Sequence, residues 1–224
     1  MRILFVTGTD TGVGKTWVTL GLIQALQAAG RRVAAVKPVA AGTVCRDGHR
    51  VNEDAWRLGR ALLPPRPPEM VAVEVFDPPI APHIAAERAG RVLDPEALAR
   101  ACRARGAGAD WLLVEGAGGW RVPLARTGPT LAEVARCLRA SVLLVVGLRL
   151  GCLNHALLTA EAVAADGLAL AGWVGVCLLP DLPAQAAQVD TLRARLTAPC
   201  LGVVPHLASP DPARLAAALD PTLL

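Results

Sequence analysis

The chain has 224 residues, 53% of them apolar, and a formal charge of +4. That length gives one large domain or two small ones, with enough apolar content for a sizeable core. The 23 basic residues are spread along the chain rather than gathered in a stripe, which argues against a nucleic-acid surface. No apolar run reaches the roughly 18 residues that a membrane span needs.

Apolar runs alternate with helical patterns in chain order. Ile3–Thr7 reads as a strand that runs directly into a glycine-rich turn, with too little apolar length before it for a signal peptide. A helix is expected over 16–29, with Val18, Leu22, Leu26 and Ala29 on one face and Gly30 closing it. Val33–Lys37 reads as the second strand and Met70–Phe76 as a further β-like run. The Pro- and Gly-rich stretches 41–69 and 77–93 read as active-site loops. Asp94-Pro95-Glu96 opens a helix, with Asp as N-cap and Pro in the first turn. Trp111–Val114 is a strand ending at Glu115, and Thr130-Leu131-Ala132-Glu133 is a capping box before a helix to about 139. Then come a strand over 141–147, a helix over 154–165, a strand over 170–179, a helix over 183–196, a strand over 201–204 and a last helix opened by Asp211-Pro212. Continuously apolar strands alternating with helices mean parallel β-α-β units buried on both faces. The fold class is therefore α/β: a single doubly wound domain over 1–224, its central sheet mostly parallel.

Lysine is almost absent. Of the 23 basic residues, 21 are arginine, and the two lysines are Lys15 and Lys37. A guanidinium is a planar fork and an ammonium a compact point charge on a thin stem. Two lysines in an arginine background suggest two places where the fork does not fit. Lys15 lies in Gly8-Thr9-Asp10-Thr11-Gly12-Val13-Gly14-Lys15-Thr16, between a strand and an amphipathic helix. That arrangement aims backbone N–H groups and a helix N-terminus at phosphates, with Lys15 as a mobile charge and the Thr16 hydroxyl as an Mg²⁺ ligand. Five residues separate Gly8 from Gly14, where the usual pattern has four. Lys37 stands in Val36-Lys37-Pro38-Val39, where the second apolar run ends.

Glu115 follows Trp-Leu-Leu-Val and precedes Gly116-Ala117-Gly118-Gly119. A carboxylate at the carboxyl end of a buried strand, beside small residues, suits a Walker-B-like metal position. Asp54, in Asn52-Glu53-Asp54-Ala55-Trp56, reads from local sequence as an acidic helix start. Six cysteines show no C-x-x-C pair and no metal-ligand spacing, as expected of reduced thiols in a cytoplasmic protein.

Along nearly its whole length the chain resembles the dethiobiotin synthetase family, a P-loop NTPase-like group. The resemblance is carried, in order, by Thr9–Thr16, Lys37-Pro38-Val39-Ala40, Asn52-x-Asp54-Ala55, Pro82-His83, Val114–Trp120 and Leu150–Ala156. It implies a Mg²⁺- and nucleotide-dependent cyclo-ligase of biotin synthesis, acting on 7,8-diaminononanoate, CO₂ and ATP or another nucleoside triphosphate. By that resemblance Thr16, Asp54 and Glu115 hold Mg²⁺, Lys15 and Lys37 flank the γ-phosphate and a carbamate, and Thr11 contacts both nucleotide and substrate. Gly12, Val13, Gly14, Lys15, Thr16, Glu115, Gly118, Val176, Pro205 and His206 fall to the nucleotide. Lys37, Ala41, Gly118, Gly151, Cys152, Leu153 and Asn154 fall to the substrate. The last four act from a partner subunit, so the resemblance implies a homodimer with its substrate site at the interface. His155 reads as a packed or capping residue.

Three positions depart from the family pattern: Ala41 stands where a serine is usual, Gly12 where many members carry an acid, and Val176 where an adenine-reading asparagine is common. Val176 offers no donor or acceptor, so a weak preference among nucleoside triphosphates is expected. The competing readings are a partitioning-type switch ATPase, a degenerate homologue without turnover, and an amidating or cobyrinate-type ligase on the same scaffold, which usually carries a glutaminase domain that 224 residues leave no length for. The first commonly places a second lysine inside the phosphate loop, and Gly12-Val13 supplies none.

Overall fold

A computed structural model describes residues 1–46, 48–209 and 211–224. In chain order its elements are β1 (Arg2–Gly8), α1 (Lys15–Ala28), β2 (Val33–Ala41), β3 (Val44–Arg46), β4 (His49–Val51), α2 (Glu53–Ala61), α3 (Pro68–Val71), β5 (Ala72–Phe76), α4 (Pro82–Arg88), α5 (Pro95–Arg105), β6 (Trp111–Glu115), α6 (Leu131–Leu138), β7 (Ser141–Leu148), α7 (Cys152–Ala165), β8 (Leu170–Cys177), α8 (Gln185–Arg195), β9 (Cys200–Val204) and α9 (Pro212–Ala217). Seven strands form one sheet in the order β5-β2-β6-β1-β7-β8-β9, and its pairings are parallel.

Parallel strands need cover on both faces, and the core is split accordingly. On one face α1 and α9 pack Val18, Leu22 and Leu215 against Leu4, Val6 and Val145. On the other, α5 and α6 bring Leu98, Cys102 and Leu131 over Phe5, Val36 and Val114, and α7 and α8 cover β7 and β8 with Ala156 and Leu192. The Asp94, Thr130 and Asp211 caps form as expected, Thr130 and Glu133 as a full capping box. Helix α1 has no side-chain cap, so its first N–H groups are left for a ligand.

Four expectations are corrected. Strand β2 does not end at Lys37 but runs to Ala41; it changes neighbour there, pairing with β6 through Val36 and with β5 from Lys37 onward. The stretch 41–69, of which Asp47 lies outside the described residues, is not one loop: it holds the β3–β4 hairpin, α2 and the start of α3. The stretch 77–93 contains α4, with Pro82 in its first turn. The run at 70–76 is helical to Val71 and extended only from Ala72. Pro and Gly density marks chain reversals, and here short elements fit between the reversals. Smaller differences lie at ends: α7 starts at Cys152, β8 stops at Cys177, and α8 starts at Gln185 after the left-handed Ala184.

Candidate active site

The carboxyl ends of β1, β2, β6 and β8 open on a cleft of about 790 Å³, the position for ligands in an open α/β sheet. The phosphate loop Thr9–Gly14 crosses its floor and enters α1. Gly14 has φ +92, and a Cβ there would lie 3.0 Å from a Val176 methyl, so both backbone shape and space call for glycine. Gly12 is also left-handed, φ +73, with nothing within 4 Å of a built Cβ. The carboxylate of Asp10 fixes the loop from outside: it accepts from Thr11 N at 2.7 Å and from the Arg149 guanidinium at 3.0 Å. The Lys15 ammonium donates to the Asp10 carbonyl at 2.9 Å.

The chain's two lysines are buried side by side in this cleft, at 8% and 4% exposure, and Glu115 is fully enclosed. Because Val36 pairs with Val114, the next residues, Lys37 and Glu115, meet where β6 stops. Lys37 Nζ donates to Glu115 Oε1 at 2.5 Å and to Asp54 Oδ2 at 3.2 Å. The Thr16 hydroxyl donates to the same Glu115 oxygen at 2.9 Å. Burial alone would push the Lys37 ammonium down, but Glu115 and Asp54 outweigh it and hold the group above the ordinary lysine value. Burial likewise favours the neutral Asp54 carboxyl, and Lys37 reverses that, drawing it below its usual range. Lys15 has weaker compensation: burial lowers it to about 8, with Glu115 and Asp54 acting against the shift. Asp54 reaches this cluster because Asn52 caps α2, accepting from Ala55 N at 3.1 Å and donating to Gly42 O at 2.9 Å.

The remaining Glu115 oxygen, Oε2, is buried and has no hydrogen-bond partner. An orphaned carboxylate oxygen beside a hydroxyl and a second carboxylate is a hard-oxygen donor set that fits Mg²⁺. Among the described residues no group of three or more His, Cys, Asp and Glu side chains converges, so a metal ion in this cleft would rest on Thr16 together with Asp54 and Glu115.

Thr11, Gly12, Gly14, Lys15, Thr16, Lys37, Ala41, Asp54, Glu115, Gly118, Val176 and His206 all line the cleft. Val13 does not; it is buried beneath the loop against Gly8 and Gly147. Pro205 is exposed and outside it. Gly151, Cys152, Leu153 and Asn154 lie outside the cleft of their own chain, at the start of α7. The sequence reading gave no site role to Trp17, Asn52, Arg57, Cys177 and Leu178, which also line the cleft. Asn52 had a signal, an Asn directly before two acids at a helix start; Trp17, Cys177 and Leu178 follow assigned residues in the chain, and Arg57 reaches the cleft from α2.

A family model described as an AAA domain matches residues 2–214. The chain is 46% identical over 223 residues to the ATP-dependent dethiobiotin synthetase BioD of Cellvibrio japonicus, covering 100% of this chain and 97% of that protein. It is 48% identical over 221 residues to the protein of the same name from Pseudomonas paraeruginosa, covering 98% and 96%. Among solved structures, the septum site-determining protein MinD complexed with Mg-ADP from Pyrococcus horikoshii OT3 aligns with TM-score 0.53 at 19% identity, covering 97% of this chain and 86% of that one. The cell division ATPase MinD of Pyrococcus furiosus aligns with TM-score 0.51 at 20% identity, covering 95% and 84%. Those likenesses speak for the fold alone; the relatives of matching length speak for the family. The chain belongs to the dethiobiotin synthetase family.

Proposed function

We propose that the chain is an ATP-dependent dethiobiotin synthetase, a cyclo-ligase that joins 7,8-diaminononanoate and CO₂ into the ureido ring of dethiobiotin. One amine adds to CO₂ and loses a proton, giving a carbamate. A carbamate oxygen attacks the γ-phosphorus and the bond to the departing ADP breaks, leaving a carbamoyl-phosphate anhydride. The second amine attacks its carbonyl carbon, phosphate leaves, and a further proton is released as the ring closes.

The observation that carries this reading is the packing of Lys37 against Glu115 and Asp54, with Lys15 in the same cleft. An anionic carbamate attacking an anionic phosphate needs charge neutralised and atoms aligned more than it needs covalent help. Lys37 and Lys15 supply the cations, and both are compact enough for a site walled by β2 and β6. Thr11 stands between the nucleotide and substrate ends. Thr16, Asp54 and Glu115 hold Mg²⁺, which when bound offsets phosphate charge. The loop amides of 12–14, with Gly118, take the phosphates. Val176 and the backbone at His206 face the base, with no side-chain donor or acceptor at Val176, so discrimination among ATP, CTP and GTP is weak. Ala41 lines the substrate end without the serine hydroxyl.

The substrate carboxylate is bound by Gly151, Cys152, Leu153 and Asn154 of a second copy, at the open N-terminus of α7. The position of those residues outside the cleft supports a homodimer, as do Leu150 and Leu158 near them, 90% and 56% exposed. No helix among the described residues is long and apolar enough to cross a membrane. The six unpaired cysteines suit the reducing cytoplasm. Incubation with the diamine, bicarbonate, Mg²⁺ and ATP, followed by mass spectrometry, tests the proposal. Dethiobiotin formed in step with phosphate supports it; nucleotide hydrolysis without dethiobiotin favours a switch ATPase.

A further inference from the structure

The glycine run after Glu115 is tied to the backbone of the fold at its front and again beyond Trp120, where Val122 O accepts from Leu131 N at 2.9 Å. At its front, Gly116 N donates to Val6 O at 3.0 Å. The next backbone amide that donates to another backbone group, among the described residues, is Leu124 N, at 2.9 Å from Pro129 O. Between them, Ala117 and Gly118 line the cleft. The run also packs tightly. A Cβ on Gly118 would lie 2.7 Å from a Val122 methyl and 3.4 Å from the Thr11 hydroxyl; one on Gly119 would lie 3.4 Å from Gly8 O. Its shape therefore depends on what holds its far end.

That end is Trp120, 3% exposed, whose ring meets Phe5 edge-on at 5.9 Å and 87°. Its indole N–H donates to Asp166 Oδ2 at 2.7 Å. Asp166 lies 46 residues further on, just past α7, with a side chain 14% exposed, and the Arg121 guanidinium reaches the same oxygen at 2.7 Å. A buried indole N–H usually finds a partner, and this one has a carboxylate, whereas the buried Trp173 indole has none.

We infer that Asp166 is a positioning residue of the active site: by holding Trp120 and Arg121 it sets the glycine run 116–119 against the phosphate loop. This rests on the reading of the cleft as the synthetase site. The run follows β6, on the side of the sheet order toward β2, whereas Val176 and His206 belong to the β8 and β9 side. Loosening the run therefore falls mainly on the diamine and carbamate end and reaches the nucleotide only through Gly118, to a much smaller degree.

The experiment compares wild type with Asp166→Ala, Asp166→Asn, Trp120→Phe and the double Asp166→Ala/Trp120→Phe variant. Asp166→Ala is expected to raise KM for the diamine about tenfold, with nucleotide affinity by calorimetry within about twofold. Asp166→Asn keeps an acceptor for the indole and should recover most of the loss. The double variant should be no worse than Asp166→Ala, because Asp166→Ala already removes the indole contact that Trp120→Phe removes. Hydrogen exchange supplies a readout independent of turnover: the peptide spanning 116–121 should exchange faster in Asp166→Ala while 8–16 is unchanged. An unchanged diamine KM, an equal loss for both substrates, no recovery with Asn, or unaltered exchange at 116–121 overturns the inference. Absence of dethiobiotin with wild type instead overturns the synthetase reading, and the exchange comparison still decides the role of Asp166 in placing the run.

Discussion

Lys37 and Glu115 meet at 2.5 Å, both nearly or fully buried, at the point where β2 leaves β6 for β5. Glu115 presents one oxygen to Lys37 and Thr16 and leaves the other unpartnered. One carboxylate thus joins the ammonium and the loop hydroxyl and keeps a second oxygen that suits a divalent ion.

Glu115→Gln removes the charge but keeps the shape. Turnover should fall about a thousandfold, corresponding to several kcal/mol of transition-state stabilisation. The Mg²⁺ concentration for half-maximal rate should rise with it. A magnesium titration of the steady-state rate checks this; an unchanged half-saturation point would remove Glu115 from the metal set.

Val176 is buried against Gly14 and carries only methyls toward the cleft. The kcat/KM values for ATP, CTP and GTP should agree within about tenfold, the span that a missing directional hydrogen bond leaves. Val176→Asn should favour ATP. A strong preference for ATP in the unaltered chain would show that other groups read the base.

The capping box gives a stability test remote from the chemistry. Thr130 accepts from Ala132 N at 3.3 Å, and Glu133 accepts from Thr130 N at 2.7 Å. Thr130→Ala should cost ~1 kcal/mol and lower Tm by ~2–4 °C in calorimetry, with Thr130→Ser close to wild type. No change in Tm would mean that packing of Leu131 and Val134 fixes the helix without its cap.

Thiol labelling tests burial. Cys45 and Cys137 are exposed, whereas Cys102 is enclosed under α5 and burial pushes its thiol up to about 12. At pH 8 a disulfide reagent should modify Cys45 and Cys137 first and reach Cys102 only on denaturation, as peptide mapping would reveal. Early labelling of Cys102 would contradict the packing of α5 on β2 and α6.

Much of this was written in local sequence. Apolar strands, the Asp94 and Thr130 caps and the Gly8–Thr16 loop report on neighbours a few residues away, and there the reading and the structure agree. Lys37 and Glu115 were visible as residue types, through the scarcity of lysine and the strand-end acid. Their contact was not, because it depends on the parallel register of β2 with β6, set 78 residues apart. Asp54 was silent in local sequence for the same reason: Asn52 ties its helix to Gly42 across a hairpin that the Pro- and Gly-rich stretch concealed. Asp166 lay wholly outside reach, since nothing near it in the chain indicates Trp120.

The most direct test of the central claim is Lys37→Arg, which keeps the charge and changes its shape. Dethiobiotin formation and nucleotide affinity are measured together on the folded variant. Nucleotide binding within a few-fold of wild type, with product formation lower by at least about a thousandfold, is the result predicted. Product formation within about tenfold of wild type would mean that a compact ammonium beside Glu115 is not what the reaction requires, and the account would fail.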